Sequence, residues 1–376
     1  MKKMNSFFEN KCEVRMREFD LEQYLSDGIA DLVKDILRAT RQDPRESIFF
    51  TRFALASKRA GKRRRESGKK GEPVPSFLIA SITETCNLNC AGCYDRAHHA
   101  SQNRAELSRR DWSGIFAQAE EIGISAILLA GGEPLMRPDV IEEAAQFSSI
   151  LFPVFTNGTV MSRENLQMFE EYRNLIPIIS VEGDGILTDK RRGSGVFEKT
   201  VRTMAALDDS GLLFGASVTV TSENLYTVTN RDYIDSLRDK GCKAIVFVEY
   251  VPIENPELAL NTEERGNLDK RVSSLRERKD MIIISFPGDE RMSGGCLAAG
   301  RGFFHINASG GAEPCPFSPH SDTNLRTTSL REALRSPLFL RLREEGLLLK
   351  EHTGGCTLFD QQEDVRSLLT AETPQV

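Results

Sequence analysis

Three cysteines fall within eight residues of one another, directly after an apolar segment that reads as a β-strand. Cys86, Cys90 and Cys93 have the spacing C-x3-C-x2-C and follow the predicted strand Phe77–Ile82. A 4Fe–4S cluster takes one thiolate per iron, so three thiolates in one loop either recruit a distant ligand or leave one iron open. The sequence therefore predicts a metal-dependent loop at the end of the first strand, with an iron that a cofactor or substrate can bind.

A zinc site is the main alternative for these three thiols. Zinc prefers four Cys or His ligands, and the chain contains no further C-x2-C pair; His98 and His99 are the only local candidates. The loop is therefore more typical of an iron-sulfur cluster than of zinc.

Strand-like and helix-like segments alternate after the first strand. The predicted strands are Phe77–Ile82, Ala126–Ala130, Leu151–Phe155, Pro177–Val181, Phe214–Val220 and Ala244–Tyr250. The predicted helices between them cover residues 108–122, 139–148, 163–174, 196–210 and 230–240. Such alternation predicts a parallel sheet with right-handed crossovers. In barrels of this kind the chemistry lies at the carboxyl ends of the strands.

A glycine-rich turn, Gly131-Gly132-Glu133-Pro134, follows the second predicted strand. The cysteine spacing, this turn and their places after successive strands resemble the radical S-adenosylmethionine (SAM) superfamily. The resemblance implies an α/β fold, a partial (β/α)6 barrel. It also implies that the open iron chelates the methionine part of SAM. Reductive cleavage of SAM then gives a 5'-deoxyadenosyl radical, with the electron supplied by a donor such as flavodoxin or ferredoxin. An aromatic residue often precedes the third cysteine in this family, whereas Gly92 stands there in this chain.

By resemblance, residues at several strand ends contact SAM. A carboxylate such as Glu182, buried at a barrel mouth, needs a partner; the ribose hydroxyls or the methionine amine fit this role, and a water-exposed strand end is the alternative. One arginine of Arg191 and Arg192, assigned as Arg192, grips the carboxylate of SAM. Glu249 and Tyr250 are predicted to face the substrate. The assigned cofactor residues are Gly131, Gly132, Glu133, Pro134, Asn157, Ser180, Glu182, Arg192 and Ser217.

A second set of cysteines lies near the end of the chain. Cys296 and Cys315 flank a predicted strand, Phe303–Asn307, and Cys356 follows a predicted helix, Leu330–Glu345. This order resembles the SPASM or shorter twitch extension of radical SAM enzymes, which implies one auxiliary iron-sulfur cluster. Buried structural thiols are the alternative, and Cys242 is assigned to the core. The auxiliary cluster either has an open iron or takes a fourth ligand from His305, His320, His352 or Asp360.

The region before the barrel combines an amphipathic pattern with a basic tract. Apolar residues recur at helical spacing across residues 18–56, which predicts a helix. Residues 58–70 are rich in lysine and arginine. They are interpreted as a solvated linker or helix face, or as a contact for an anionic partner such as a leader peptide, a membrane surface or RNA. We expect a helical preface with a basic linker (1–74), the barrel (75–287) and the auxiliary domain (288–376).

The composition narrows the possible functions. A net charge of -6 over 376 residues disfavours nucleic acid as a bulk electrostatic partner. No apolar run is long enough to span a bilayer, and residues 1–20 lack a signal-peptide pattern. We therefore expect a cytoplasmic protein with reduced thiols. The resemblance favours a peptide, protein or cofactor precursor as substrate, ahead of a small carbohydrate or lipid. A non-catalytic iron-sulfur or zinc binding module is the remaining alternative.

Overall fold

The computed structural model describes residues 21–40, 43–99, 105–349 and 355–370. Within them, the strands in chain order are β1 (Phe77–Ser81), β2 (Ala126–Ala130), β3 (Phe152–Thr156), β4 (Leu175–Ser180), β5 (Gly215–Val220), β6 (Ala244–Glu249), β7 (Ile282–Phe286), β8 (His305–Ile306) and β9 (Ala312–Glu313). They form one sheet in the order β7-β6-β5-β4-β3-β2-β1-β8-β9. Only β9 runs antiparallel to its described neighbour. The sheet curls into an open barrel, as the sequence predicts.

The helices of the described residues are α1 (Leu21–Ala39), α2 (Pro44–Gly68), α3 (Tyr94–His99), α4 (Arg109–Ile122), α5 (Pro138–Ala145), α6 (Arg163–Glu171), α7 (Gly185–Arg192), α8 (Val196–Asp209), α9 (Leu225–Val228), α10 (Arg231–Arg238), α11 (Thr262–Arg276), α12 (Leu330–Ala333), α13 (Pro337–Glu344), α14 (Thr357–Asp360) and α15 (Gln362–Thr370). Short 3-10 turns connect several of them. No helix among these residues is both long and apolar enough to cross a membrane.

The two faces of the sheet have different surroundings. Because successive residues of a strand point to opposite sides, Ile245 and Phe247 of β6 are fully buried beneath the helices. Their neighbours Val246 and Val248 line a cavity on the concave face. The main core, between the convex face and α4, α5, α6, α8, α10 and α11, includes Cys242 as predicted.

From Leu21 onward, the amphipathic pattern predicted for residues 18–56 belongs to two helices, whereas the sequence predicted one; residues 18–20 lie outside the described residues. The chain turns before α2, where Asp43 accepts a hydrogen bond from the amide of Arg45 at 2.8 Å and Pro44 occupies the first helical position. Both features favour a new helix start. Ile36 of α1 and Phe53 of α2 pack on residues near the amino ends of β3, β4 and β5. The two helices therefore close the lower end of the barrel.

The basic tract is largely part of α2, so of its two interpretations, a linker and a helix face, the structure supports the helix face up to Gly68. Arg64 is 2% exposed, and its guanidinium donates to the carbonyl oxygen of Gly123 at 2.6 Å and to Ser125 Oγ at 3.0 Å. Lys58, Arg59 and most other basic residues of the tract are exposed. One arginine thus fixes the helix to the barrel, and the rest form a basic surface.

The region after β7 closes the open side of the barrel. Phe303 packs on Phe77 of β1 with ring centroids 5.2 Å apart, and on Phe286 of β7 at 5.8 Å. The predicted strand Phe303–Asn307 is reduced to β8. The predicted helix Leu330–Glu345 is divided into α12 and α13, because Ser336 caps a new helix that begins at Pro337.

Candidate active site at the carboxyl ends of the strands

A cavity of 1070 Å³ occupies the concave face of the sheet. Cys86, Cys90 and Cys93 line its upper end, at the carboxyl ends of the strands, and Ile29 and Ile36 of α1 line its lower end. The cysteines are free thiols in this structure. The cysteine loop therefore opens into the barrel, so a metal cluster bound by the loop could contact both a cofactor and a substrate in the cavity.

The cysteine loop is fixed by neighbours from two other strand ends. The amide of Ala91 donates to the carbonyl oxygen of Arg191 at 2.9 Å. Asn157, after β3, donates to Asn87 Oδ1 at 2.9 Å and lies 4.0 Å from Cys86 Sγ. The amide of Leu88 points to the same sulfur at 3.4 Å. Such N–H donors stabilise cluster thiolates, so the surroundings fit an iron-sulfur ligand loop.

The glycine turn pairs with the segment that leads into the cysteines. Gly132 donates its amide to the carbonyl oxygen of Thr83, and Glu133 to that of Thr85, both at 2.8 Å. A Cβ at Gly131 or Gly132 would overlap those carbonyl oxygens. The sequence assigned both glycines to cofactor binding; in the structure, close approach of the backbone already requires them.

Glu133 bridges two strand ends. Its carboxylate accepts hydrogen bonds from Thr156 Oγ1 at 2.6 Å, from the amide of Asn157 at 2.8 Å and from the amide of Leu135 at 3.0 Å. Burial raises the pKa of Glu133, and these three hydrogen bonds oppose that rise. Gly131, Gly132 and Glu133 line the cavity. Pro134 does not; it is buried at the start of a 3-10 turn.

Glu182 forms a buried ion-pair network with two arginines of α7. Its Oε1 lies 2.6 Å from Arg191 Nη1 and 2.6 Å from Arg192 Nη2, and its Oε2 accepts the amide of Thr219 at 3.0 Å. The sequence considered SAM hydroxyls or an amine as partners of Glu182. The structure gives it cationic partners instead, because an anion that is 1% exposed requires them. Both arginines line the cavity, and Glu182 lies behind them.

Ser180 and Ser217 lie side by side on the cavity wall. They are register partners on β4 and β5, and both point to the concave face. Of the predicted cofactor residues, the structure thus brings seven to one cavity: Gly131, Gly132, Glu133, Asn157, Ser180, Arg192 and Ser217.

Tyr250 explains why glycine precedes the third cysteine. Gly92 has φ +62°, and a Cβ there would lie 2.6 Å from Tyr250 Cε2. The aromatic ring beside the cysteine loop therefore comes from the end of β6. The hydroxyl of Tyr250 donates to the carbonyl oxygen of Glu254.

Glu249 lines the cavity and also forms an ion pair with a helix, so its predicted position facing the substrate stays a prediction. It is 6% exposed, and Arg265 Nε of α11 donates to its Oε1 at 2.6 Å. Burial raises the pKa of Glu249, and Arg265 and the amide of Gly355 oppose that rise. Since Gly355 precedes Cys356, this ion pair connects the barrel to the last cysteine.

Asp95 is a cavity residue that the sequence analysis did not identify. It is 3% exposed and lines the cavity, and its Oδ1 has no hydrogen-bond partner. Burial, followed by repulsion from Glu84, raises the pKa of Asp95 to about 7. Its place two residues after Cys93 was the only signal in the sequence.

The later cysteines converge in the auxiliary region. The thiols of Cys296, Cys315 and Cys356 lie close enough to one another to interact electrostatically. Cys296 and Cys315 are buried, and burial raises the pKa of each thiol well above its ordinary value. Buried thiols of this kind ionise readily only beside a cation, so the donor set fits an iron-sulfur cluster.

The candidate fourth ligands of this cluster differ in their contacts and in their exposure. His305 is fully buried, and its two ring nitrogens contact Ser81 Oγ at 2.8 Å and Glu313 Oε2 at 2.7 Å. Because both nitrogens are engaged, the structure contradicts His305 as a ligand. Asp360 is exposed, and burial lowers the pKa of the half-buried His320. His352 lies outside the described residues.

Nowhere in the described parts of the chain do three His, Cys, Asp or Glu side chains stand as ligands of a single metal ion. A cubane differs from such a site, because each thiolate binds its own iron around a body of four irons and four sulfides. Three free thiols around one cavity fit that arrangement. Cys86, Cys90 and Cys93 would hold the cluster that binds SAM.

Comparison with known proteins agrees with this geometry. Residues 80–240 match the family model described as the radical SAM superfamily. These residues therefore form a radical SAM domain. The comparisons confirm the predicted open barrel and the prediction of a radical SAM enzyme. They also confirm the predicted cofactors, a 4Fe–4S cluster and SAM.

Several named enzymes are similar to this radical SAM chain. It is 27% identical over 313 residues to an AdoMet-dependent heme synthase of Methanosarcina barkeri, covering 75% of this chain and 88% of the relative. It is 25% identical over 292 residues to the subtilosin biosynthesis protein AlbA of Bacillus subtilis, covering 73% and 63%. Its fold is similar to Streptococcus suis SuiB bound to the precursor peptide SuiA, with TM-score 0.64 and 17% identity over 78% and 75% of the two chains.

Proposed function

We propose that this enzyme removes a hydrogen atom from an apolar part of a peptide or of a cofactor precursor. The observation that carries this proposal is the cavity beneath the cysteine loop. Its lower wall consists of aliphatic side chains, among them Leu32 of α1, Leu128 of β2, Ile178 of β4, Val246 of β6 and Ile284 of β7. A polyhydroxylated sugar would leave its hydroxyls unpaired against this wall, whereas an apolar group is stabilised there.

The upper part of the cavity suits SAM. A cluster held by Cys86, Cys90 and Cys93, with SAM bound beside it, would supply the hydrogen-abstracting chemistry at this position. The chain's own residues position SAM: the Gly131–Gly132 backbone and Glu133 face its amine, and Ser217 faces its ribose or carboxylate. Arg192 binds the carboxylate through its guanidinium, and Glu182 holds both arginines in place from behind. Because two arginines face a single Glu182, one positive charge is left over to attract the carboxylate of SAM.

The closed lower end limits what can enter. Because α1 and α2 cover the amino ends of the strands, a long chain cannot pass through the barrel. A side chain or one edge of a planar molecule enters from the cysteine end, and the apolar wall excludes water from the reactive position.

The direct test uses anaerobically reconstituted enzyme with SAM and dithionite. Cells are grown in deuterated medium, and their extract is separated by ultrafiltration into peptide and small-molecule fractions. We expect deuterium in the 5'-deoxyadenosine formed with the fraction that contains the substrate. An active enzyme that takes up deuterium from neither fraction would contradict the proposed substrate classes.

A cofactor precursor of the porphyrin type is the second candidate. A planar macrocycle matches an apolar cavity, and a relative aligned over 88% of its length is named as a heme synthase. Fe-coproporphyrin III is the probe for this candidate, because another relative is named as the synthase of that compound. Faster formation of 5'-deoxyadenosine in the presence of Fe-coproporphyrin III would favour the porphyrin-type substrate. An unchanged rate would favour a peptide substrate instead.

The electron donor and the basic surface of α2 complete the proposed interactions. A flavodoxin or ferredoxin, both acidic carriers in general, is the expected reductant. The exposed side chains Lys58, Arg59, Lys62, Lys69 and Lys70 are the proposed contact for an anionic partner. Binding that weakens steeply with salt would support this contact.

A further inference from the structure

The three auxiliary cysteines leave one iron of a cubane without a protein ligand. Cys296, Cys315 and Cys356 lie together, and a cubane has four irons. His305 is committed to Ser81 and Glu313. Asp360 is exposed at the end of α14. The structure shows a different oxygen donor beside these thiols.

Glu290 is that donor. It is 5% exposed, and its Oε1 lies 3.9 Å from Cys296 Sγ. The amide of Leu297 donates to the same oxygen at 3.2 Å, so the carboxylate turns toward the cysteine rather than toward solvent. Among the described side chains, the cation that acts on both Glu290 and Cys296 is Arg301.

The backbone around Glu290 holds this position. Glu290 belongs to a 3-10 turn, Gly288–Ser293. Its carbonyl oxygen accepts Ser293 Oγ at 2.7 Å and the amide of Gly295 at 3.2 Å. These bonds fold the turn directly onto the Cys296 segment. The neighbouring Asp289 points elsewhere, with its Oδ2 2.7 Å from Arg276 Nη2.

We propose that Glu290 is the fourth protein ligand of the auxiliary cluster. Carboxylate oxygens are established ligands of protein-bound iron. One carboxylate and three thiolates then occupy all four irons. No iron remains open for substrate, so this cluster acts in electron transfer or in structure and does not bind the substrate directly. The inference rests on the auxiliary cluster of the proposed enzyme.

The test isolates the auxiliary cluster in the full-length chain in which the three cysteines of the SAM loop are replaced by alanine. In this parent, Glu290→Gln, Glu290→Cys and Asp289→Asn are compared after anaerobic reconstitution. Asp289→Asn is the matched control, because it removes the adjacent negative charge without touching the cysteines. Iron per chain is measured, together with electron paramagnetic resonance (EPR) spectra after mild ferricyanide oxidation.

We expect the parent, Asp289→Asn and Glu290→Cys to keep four irons on oxidation. Glu290→Gln should lose one of the four and show the signal of a 3Fe cluster, because an iron without a protein ligand is released first. Glu290→Gln that behaves like the parent would overturn the proposal. So would loss of the cluster in both Glu290 variants while Asp289→Asn retains it, since a thiolate at a ligand position should bind iron. A parent without any cluster would refute the auxiliary site itself, and SAM cleavage by the unsubstituted enzyme tests the proposed function separately.

Discussion

Replacing Gly92 by alanine tests how tightly the cysteine loop is packed against the end of β6. Gly92 has φ +62°, and the added Cβ would lie 2.6 Å from Tyr250 Cε2 and 2.8 Å from Cζ. The left-handed conformation costs an alanine about 1–2 kcal/mol. Overpacking against the ring costs about 1–3 kcal/mol more. After the smaller entropy of the unfolded chain is counted, we expect a loss of about 2–4 kcal/mol in the free energy of unfolding.

Gly211→Ala is the matched control for the backbone contribution. Gly211 has φ +65°, and no atom lies within 4 Å of an added Cβ. After the same correction for the unfolded chain, this control should lose only about 0.5–1.5 kcal/mol. Tyr250→Ala removes the obstructing ring, so Gly92→Ala should cost less in that background than in the unsubstituted chain. The assay is anaerobic urea unfolding of the reconstituted protein, with iron per chain measured in parallel.

Two results would contradict the packing of Tyr250 against the cysteine loop. If Gly92→Ala and Gly211→Ala lower the free energy of unfolding equally, to within about 0.5 kcal/mol, the contact with Tyr250 does not constrain the loop. The same conclusion would follow if the effects of Gly92→Ala and Tyr250→Ala were additive.

Further predictions concern the clusters, the arginine network and the N-terminal helices. Alanine at any cysteine of the SAM loop should abolish formation of 5'-deoxyadenosine, whereas Cys315→Ala should lose auxiliary iron and retain SAM cleavage without substrate; the opposite pattern would mean that the two sites are interchanged. Glu182→Gln should lower the free energy of unfolding by about 3 kcal/mol, because two arginines lose their buried counter-charge, and an unchanged urea midpoint would refute that role. Arg64→Ala should cost about 2–4 kcal/mol, since it leaves buried acceptors without a donor. Arg59→Ala on the exposed side should change stability by less than about 0.5 kcal/mol, and equal effects of the two would argue against the anchoring role of Arg64.

The barrel was predictable because its strands are short apolar runs between clear turn and helix signals. All six predicted barrel strands are present, with shifts of at most two residues at their ends. β7 was missed, because a short apolar run such as Ile282–Phe286 does not by itself distinguish a strand from a buried helical segment. The division between α1 and α2 was also missed, although Asp43-Pro44 is a helix-start signal.

The site was predictable where residues adjacent in sequence carry the chemistry. The cysteine loop and the glycine turn are motifs of this kind, and both line the cavity. Contacts between distant segments were not predictable: Tyr250 packs on Gly92, and Arg191 and Arg192 take the carboxylate of Glu182. Their pairing depends on which strand ends meet, and the sequence does not specify that at side-chain resolution.

Two acidic residues show the same limit. Asp95 and Glu290 look like ordinary surface acids in the sequence, since neither belongs to a motif. Their burial beside cysteines appears only when the cysteine loop and the Gly288–Ser293 turn fold against the barrel. Arg64 is a further example, because its basic neighbours suggested an exposed tract.

The EPR spectrum of the reduced enzyme, recorded with and without SAM, tests the central claim most directly. If Cys86, Cys90 and Cys93 leave one iron open for SAM, the spectrum of the reduced 4Fe–4S cluster should change when SAM binds. The change should be absent in a chain that lacks these cysteines and retains the auxiliary cluster. An intact cluster at the cysteine loop whose spectrum is the same with and without SAM would contradict the account.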